Sequence, residues 1–440
     1  MTKEKENKYA WVVPTMVWLM RIVVGAVFAF SGLAKAIDPW GSFYKFNEYV
    51  LTLGWDSLQG VTLVAAFVVP AVEFTLGVLT MVGAYRRVIP ALLLLMMLVM
   101  LPLTLWLAVS DAVPDCGCFG DALVLSNWAT FGKNVALTLG IVFLLILNRQ
   151  TPGLYGPIVQ WLVAALSCAL ALVIAYHGYF TQPLVDFRPY KVGTRLTAAA
   201  SRPGQDSDYL FIYAKDGEER EFTIDSIPDE EDGWTFVDRR PVKRDKSQES
   251  SVVAFDNVIA HQLPIFNEGV DVSDEVLMSK NQLLLLFPDV QDVSIAHTFM
   301  INELTEYAQK QGVDVYGICS ASEKQIAEWK DITMAEYPIF SADDSELKML
   351  ARGNPAVVYV SDGVVRWKRT LGSIEDDRLH DTNVTVATLN DDYDAGAILG
   401  RLFSVYGLLM LALLLVNRTH VVIGHLLPKK KPVDEDGYID

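Results

Sequence analysis

This sequence of 440 residues has little cysteine, little histidine and a deficit of positive charge. It holds four cysteines and six histidines, and 36 Lys and Arg stand against 53 Asp and Glu for a net charge of -17. Four cysteines are too few for a disulfide scaffold. The acidic balance argues against nucleic acid as a partner, because binding to phosphates needs basic patches. Tetrahedral zinc needs four ligands, and no other Cys or His lies near Cys116 and Cys118 in sequence, so we expect no metal.

Apolar residues, in contrast, are abundant. The hydrophobic fraction is 52% and the mean hydropathy is positive, yet the middle of the chain is long and charged. This combination predicts a membrane protein that carries a water-soluble domain. Residues 1–8 are polar, and the apolar run that follows is long enough to stay in the bilayer, so we expect no cleavable signal peptide.

Six stretches have the ~20 mostly apolar residues that a membrane-spanning helix needs, which makes lipid a partner. They are residues 15–37, 60–82, 88–109, 128–147, 155–176 and 398–416. Short connections between the first four predict a compact bundle in residues 1–150. Glycines such as Gly25, Gly32 and Gly77 favour close helix packing in lipid. We expect a fifth span in 151–180, and the sixth with a cytoplasmic tail in 381–440.

Lysine and arginine in the short loops predict the orientation. If the spans alternate, the basic residues outside them share one side, which we expect to be cytoplasmic together with both termini. They are Lys3, Lys5, Lys8, Arg86, Arg87, Arg149, Arg418 and Lys429 to Lys431. The loop of residues 38–59, the loop with Cys116 and Cys118, and the soluble domain are then predicted on the other side.

The soluble part divides into two predicted regions. Residues 181–280 form a β-rich linker region with a hairpin of 209–214 and 219–224 about Asp216-Gly217 and a polar linker at 247–251. Residues 281–380 alternate strands and helices and close on a hairpin about Asp362-Gly363, which predicts an α/β layer. This order, with Pro355 opening the next-to-last strand, resembles the thioredoxin fold.

The resemblance to thioredoxin does not extend to its chemistry. Thioredoxins carry the redox pair after the first buried strand, where this sequence reads Pro-Asp-Val-Gln-Asp-Val over residues 288–293. Without thiols there is no exchange, so this domain is predicted to be redox-silent. We interpret Cys319, at the end of a predicted strand, as a small core residue.

The stretch that suggests chemistry is Asp-Cys-Gly-Cys-Phe-Gly-Asp over residues 115–121. A thiol reacts as the thiolate, which a nearby cation favours. Lys35 and Lys133 could supply that cation, whereas Asp115 and Asp121 oppose it. A Cys-Gly-Cys disulfide would close a small ring, and a strained bond of this kind is readily reduced. The alternatives are a static disulfide, a pair of metal ligands and a redox-inert loop.

Two charged residues lie inside predicted spans, where charges are costly and usually paired or functional. Arg21 lies near the cytoplasmic end of the first span, and Glu73 lies deeper in the second. We expect Arg21 to reach toward Glu73. Such a pair could fix helix register or mark a proton or quinone site.

With these residues in view, the first 150 positions resemble the DoxX and MauE families of bacterial four-helix membrane proteins. The matching residues are Arg21, Gly25, Phe28, Ser31, Gly32, Lys35, Asp38, Pro39, Lys45, Glu48, Pro70, Glu73, Gly77, Gly83, the Asp-Cys-Gly-Cys-Phe-Gly string, Lys133 and Asn134. The resemblance implies a bacterial inner-membrane location and a thiol-redox role with Cys116 and Cys118 as the redox pair. It also implies a link to membrane quinone.

The leading hypothesis is an inner-membrane thiol–disulfide oxidoreductase that passes electrons from a periplasmic protein client to quinone. Cys116 and Cys118 would exchange, Lys35 and Lys133 would tune the thiols, and Glu73 would relay protons. The alternative is a non-enzymatic scaffold whose outer domain binds envelope proteins, with a structural Cys pair. A transporter is a third hypothesis, with no repeat to support it.

Overall fold

The structure is a computed structural model that describes residues 11–113, 116–197, 209–215, 218–222, 235–241 and 260–426. The chain divides into two units. The membrane unit comprises Met1–Arg188, Arg369–Arg378 and Thr388–Asp440, and the sheet unit comprises Pro189–Lys368 and Leu379–Ala387. Several features predicted from the sequence lie outside the described residues. They are Asp115, the 216–217 turn, the 247–251 linker, the three N-terminal lysines and Lys429 to Lys431.

In the part of the membrane unit that the structure describes, six helices are long and apolar enough to cross a membrane. They are α1 (Val12–Ile37), α3 (Gln59–Val82), α4 (Val88–Ser110), α5 (Asn127–Leu147), α6 (Gln160–Phe180) and α12 (Ala395–Leu426). The protein is thus a multi-pass membrane protein, as predicted. The largest differences from the predicted ends are at the start of α6, which begins only after the turn of residues 156–159, and at the end of α12, which continues to Leu426.

A short helix, α2 (Pro39–Thr52), occupies much of the segment that we expected to be a loop. The Asp38 side chain accepts a hydrogen bond from the Gly41 amide at 2.9 Å, and Pro39 stands at the first helical position. Both features favour a helix start. The prediction of a loop failed because α2, at 14 residues, is shorter than the apolar runs by which the membrane-spanning helices were identified.

Two glycines allow α1 and α3 to pack closely, as predicted. A Cβ on Gly32 would lie 2.6 Å from the Pro70 carbonyl oxygen, and one on Gly77 would lie 2.7 Å from the Gly25 carbonyl oxygen. Helices in lipid associate through such small residues because their backbones can approach. This contact sets the register of α3 against α1 and therefore the depth of Glu73.

The sheet unit contains a nine-stranded sheet in the order β5-β1-β12-β11-β8-β9-β10-β6-β7. Its strands are β1 (Arg195–Thr197), β5 (Ala260–Gln262), β6 (Phe266–Asn267), β7 (Val270–Asp271), β8 (Asn281–Phe287), β9 (Asp314–Cys319), β10 (Ile339–Ser341), β11 (Ala356–Ser361) and β12 (Val364–Thr370). The helices of this part of the chain are α7 (Ser273–Leu277), α8 (Ala296–Lys310), α9 (Glu323–Thr333), α10 (Asp344–Leu350) and α11 (Asp376–Leu379).

The central strand β8 is an apolar run whose residues Leu283 to Phe287 are all fully buried. It pairs in parallel with β9 and antiparallel with β11. A strand covered on both faces reads as a continuous apolar run rather than an alternating one. The strands and helices expected after residue 280 occur near their predicted positions, and Cys319 is buried in this core, as predicted.

A separate three-stranded sheet has the order β3-β2-β4. Its strands are β2 (Tyr209–Lys215), β3 (Glu218–Phe222) and β4 (Thr235–Pro241). Strands β2 and β3 pair antiparallel, with Phe211 opposite Phe222. The predicted antiparallel pair is therefore present.

Candidate functional site

The two cysteines of the loop between α4 and α5 lie side by side. Cys116 and Cys118 are free thiols, both are buried, and their Sγ atoms are 2.8 Å apart. Between them Gly117 has a φ of +60°, in the left-handed region that favours glycine. A Cβ there would also lie 2.9 Å from Cγ of Lys45. The Cys-Gly-Cys spacing thus lets the chain turn tightly enough for the thiols to meet.

Two hydroxyl groups from other helices hold the loop backbone. The Tyr49 hydroxyl on α2 donates to the Cys116 carbonyl at 2.5 Å, and the Ser31 hydroxyl on α1 is 2.6 Å from the Cys118 carbonyl. A hydrogen bond between buried groups contributes only about 1 kcal/mol of net stability, but breaking it leaves a buried polar group without a partner, which costs about 1–3 kcal/mol. The cysteines are therefore fixed against the bundle through backbone contacts and not only by packing.

A buried ion pair lies next to the loop. Nζ of Lys35 is 2.8 Å from both carboxylate oxygens of Glu73, and both side chains are nearly inaccessible to solvent. Ser31, one helical turn before Lys35, lies 2.9 Å from Oε2 of Glu73. Removing one partner of such a pair leaves an uncompensated charge, which costs roughly 3–5 kcal/mol.

Electrostatics make the two thiols unequal. The hydrogen bond from the Cys116 thiol lowers the pKa of Cys118 to about 6, with Lys133 and Lys35 acting in the same direction and burial opposing them. The same hydrogen bond, together with burial, raises the pKa of Cys116. At neutral pH the site therefore holds a thiolate at Cys118 and a protonated thiol at Cys116.

Lys133 faces the loop from α5. Its Nζ lies 4.2 Å from the centroid of the Phe119 ring, at cation–π distance. The aromatic ring and the Cys118 sulfur thus share one cation.

A small cavity of about 30 Å³ adjoins Cys118. Its polar lining comes from Ser31, Lys35, Glu73, Cys118, Lys133 and Asn134, and its apolar lining from Val27, Phe28, Met96, Met97, Met100, Phe119 and Leu137. This volume suffices for about one water molecule. The charged groups of the site therefore surround a single small space.

The structure brings together five of the six residues singled out from the sequence: Cys116, Cys118, Lys35, Lys133 and Glu73 line or adjoin this space.

The sixth does not join them, and the expected contact between Arg21 and Glu73 is wrong. Arg21 is fully buried and donates to the Asn148 side chain and to the carbonyls of Asn148, Thr151 and Pro152 at 2.6 to 3.0 Å. Glu73 lies level with Ser31, ten residues along α1, which corresponds to ~15 Å of helix. The glycine contacts between α1 and α3 set this register, which the sequence of either helix alone does not reveal.

Two residues that contact the site were not predicted from the sequence to be functional. Ser31 stands four residues before Lys35, and this spacing could have placed both on one helix face. Tyr49 lies on α2, whose existence was not predicted, so no sequence signal placed its hydroxyl near Cys116.

Comparison with known families agrees with the resemblance drawn from the sequence. Residues 13–147 match the family model of the methylamine utilisation protein MauE. Over these residues the chain is similar to the MauE family. The MauE segment runs from α1 to α5 and contains both cysteines of the loop. A second model, a domain of unknown function (DUF8463), matches residues 207–244, which contain β2, β3 and β4. No curated protein matches the chain.

Proposed function

We propose that this protein is a membrane thiol–disulfide oxidoreductase whose redox pair is Cys116 and Cys118. The observation that carries the proposal is the 2.8 Å contact between the Sγ atoms of two free cysteines beside Lys35, Lys133 and Glu73. A structural cysteine pair needs no neighbouring cation, whereas a nucleophilic one does. The site supplies two.

The unequal thiols suggest a direction for the exchange. In the oxidised form, Cys118 is the better leaving group, because a thiol of low pKa departs faster. A client thiolate would attack Sγ of Cys116, form a mixed disulfide there and release Cys118 as the thiolate. A second client thiolate would then attack the client sulfur and release Cys116, which takes up a proton. The client loses two electrons and two protons; the pair gains both electrons and one proton, and the other proton is released.

Burial requires the loop to move during this exchange. Cys116 is only 6% exposed. The hydrogen bond from Tyr49 is the contact that must break for Cys116 to reach a client. In the same reaction, the Lys35–Glu73 pair keeps a cation close to the sulfur atom that carries the negative charge.

Reoxidation of the pair needs a two-electron acceptor, and a membrane quinone, as the family resemblance implies, would accept two electrons and two protons. The cavity beside Cys118, at about 30 Å³, holds roughly one water, so a quinone would have to meet the pair outside this cavity, once the loop has moved. The chain's own contribution is to hold the Cys118 thiolate at the wall of this cavity.

We also propose that the sheet unit is thioredoxin-like and docks the client. Support comes from the order of its central strands, β12-β11-β8-β9, in which β8 and β9 are parallel and β11 is antiparallel. Its one cysteine, Cys319, is fully buried. Such a domain would bind a periplasmic protein without exchanging thiols with it, and the bundle would lie in the bacterial inner membrane with both termini in the cytoplasm.

The test traps thiols in membrane vesicles with a mass-shifting maleimide, in a Cys168→Ala, Cys319→Ala background. Dithiothreitol reduces the pair, and a soluble quinone is then added or withheld. We expect Cys116 and Cys118 to become protected on quinone addition and to be released again by dithiothreitol. A pair that stays oxidised under every condition would indicate a structural disulfide and favour the scaffold.

A further inference from the structure

A second cavity lies at the opposite end of the helices from the Cys loop. It has a volume of about 430 Å³ and is lined by Tyr85, Arg86, Arg87, Val88, Arg149, Pro157 and Gln160. We call it the basic cavity, because three of its seven lining residues are arginines and none is acidic. The sequence has no acidic residue between Glu73 and Asp111 or between Asp121 and Asp186. The loops that form the cavity therefore contain no carboxylate to neutralise it.

The fold brings these like charges together through backbone contacts. The Leu154 amide donates to the Val82 carbonyl at 2.8 Å, and the Gly153 and Gly83 backbones touch. The side chain of Asn148 donates to the Arg86 carbonyl at 3.1 Å. The loop after α3 and the loop after α5 are thus locked against each other.

Arg21 stabilises the loop after α5 through hydrogen bonds. It is fully buried and donates to the Asn148 side chain at 2.6 Å and to the Thr151 carbonyl at 2.7 Å. A fourth positive charge therefore lies behind the three arginines of the cavity. Among the residues that the structure describes, these four guanidinium groups have no acidic partner; holding them in one region is electrostatically costly, and an anion in the basic cavity would offset that cost.

The basic cavity also lies where two long helices begin. Val88 is the first residue of α4 and Gln160 the first of α6, and neither first turn contains an acidic residue. Helix N-termini carry partial positive charge and favour anions. Arginine side chains and two helix ends thus direct positive potential into one space.

We propose that the basic cavity binds the phosphate group of an anionic phospholipid. Its position favours a lipid over free phosphate, because it lies at the ends of membrane-spanning helices, where headgroups are found. Exposed apolar side chains continue from it along α4 and α6, among them Val88, Leu92 and Trp161. They offer a surface for the acyl chains below the headgroup.

The experiment measures lipid binding to the full-length protein in a neutral detergent by native mass spectrometry. Phosphatidylglycerol is the probe and phosphatidylcholine the neutral comparison. The variant is Arg87→Gln, Arg149→Gln, which leaves the hydrogen bonds from Arg86 to the Arg149 and Thr151 carbonyls in place. Each arginine near a membrane surface contributes ~1 kcal/mol, or roughly fivefold in affinity. We therefore expect phosphatidylglycerol to bind roughly 30-fold more weakly to the variant.

Arg418→Gln is the matched control. Arg418 is exposed and does not line the basic cavity, although the neighbouring Asn417 accepts a hydrogen bond from the Gly156 amide at 2.9 Å. We expect this variant to bind the lipid like the parent protein. An equal loss in Arg418→Gln would show that general surface charge acts, and equal binding of both lipids would show no headgroup selection. Displacement by millimolar inorganic phosphate would indicate a soluble phosphate ligand. Each of these three results would overturn the proposal.

Discussion

At the scale of single residues, the site depends on the inequality of two neighbouring thiols. The two sulfur atoms are 2.8 Å apart, and because the pKa of Cys116 is raised and that of Cys118 is lowered, the proton between them belongs to Cys116. Lys133 and Lys35 add to this effect from two different helices. The reactivity of Cys118 should therefore change more when Cys116 is replaced than when either lysine is replaced.

The first prediction concerns the pH dependence of alkylation. In a Cys168→Ala, Cys319→Ala background, the Cys118 alkylation rate should rise with pH with a midpoint at about 6. Cys116→Ala removes the hydrogen-bond donor and should shift this midpoint upward, toward the ordinary thiol value. Lys133→Gln should shift it in the same direction by less. The assignment of the main cause to Cys116 is contradicted if the lysine variant has the larger effect. Iodoacetamide kinetics followed by peptide mass spectrometry provide the measurement.

The second prediction concerns the buried ion pair. Glu73→Gln leaves the Lys35 ammonium buried without a carboxylate, and we expect a loss of roughly 3–5 kcal/mol in stability. Thermal unfolding in detergent measures it. Glu48→Gln is the control, because the Lys45–Glu48 pair at 2.9 Å is partly exposed and such pairs contribute about 0–1 kcal/mol. Equal melting temperatures for the two variants would argue against a buried pair.

At the scale of elements, the contact between α1 and α3 determines which side chains of the two helices lie at the same level of the bundle. Gly32 and Gly77 bring the two backbones together, and this places Glu73 beside Ser31 and Lys35. The site thus depends on residues that carry no reactive group.

The third prediction follows from this contact. Gly32→Ala puts a methyl group against the backbone of Pro70 and Phe74, so α1 and α3 must separate. Overpacking of this kind costs about 1–3 kcal/mol, and the separation should also weaken the contacts of Glu73. Gly132→Ala on α5 is the control, since a Cβ there meets no atom within 4 Å. Melting temperatures in detergent compare the two. A Gly32→Ala protein as stable as Gly132→Ala would refute the close packing.

Local patterns in the sequence predicted most of the elements and identified the loop that holds Cys116 and Cys118. Six apolar runs predicted the membrane-spanning helices, and the run Leu283 to Phe287 predicted the central strand. Two cysteines one residue apart identified their loop as a candidate site. The contact that failed, Arg21 with Glu73, depends on the register between two helices. Register comes from glycine contacts across the interface, and a single sequence does not show which glycines meet.

At the scale of the whole molecule, the four cysteines occupy three different environments. Cys116 and Cys118 lie in the loop, Cys168 lies half-buried on α6, and Cys319 is fully buried in the sheet unit, where burial raises its pKa to about 11. The loop combines a thiol of lowered pKa, Cys118, with neighbouring cations.

The fourth prediction is the order in which these cysteines react. Brief treatment of the reduced, folded protein with N-ethylmaleimide at pH 7 should modify Cys118 first, because it is the thiolate. Cys319 should react only after denaturation. Mass spectrometry of the peptides reports the order. Early modification of Cys319 would contradict the burial of that thiol and the ranking that depends on it.

The unequal protonation of the pair has a consequence for its midpoint potential. Reduction binds two protons below the pKa of Cys118, about 6, and only one above it, because Cys118 then stays ionised. For a two-electron couple each bound proton contributes about 30 mV per pH unit. The potential should therefore fall by about 60 mV per pH unit in acid and by about 30 mV per unit at neutral pH, with the break in slope marking the Cys118 thiolate.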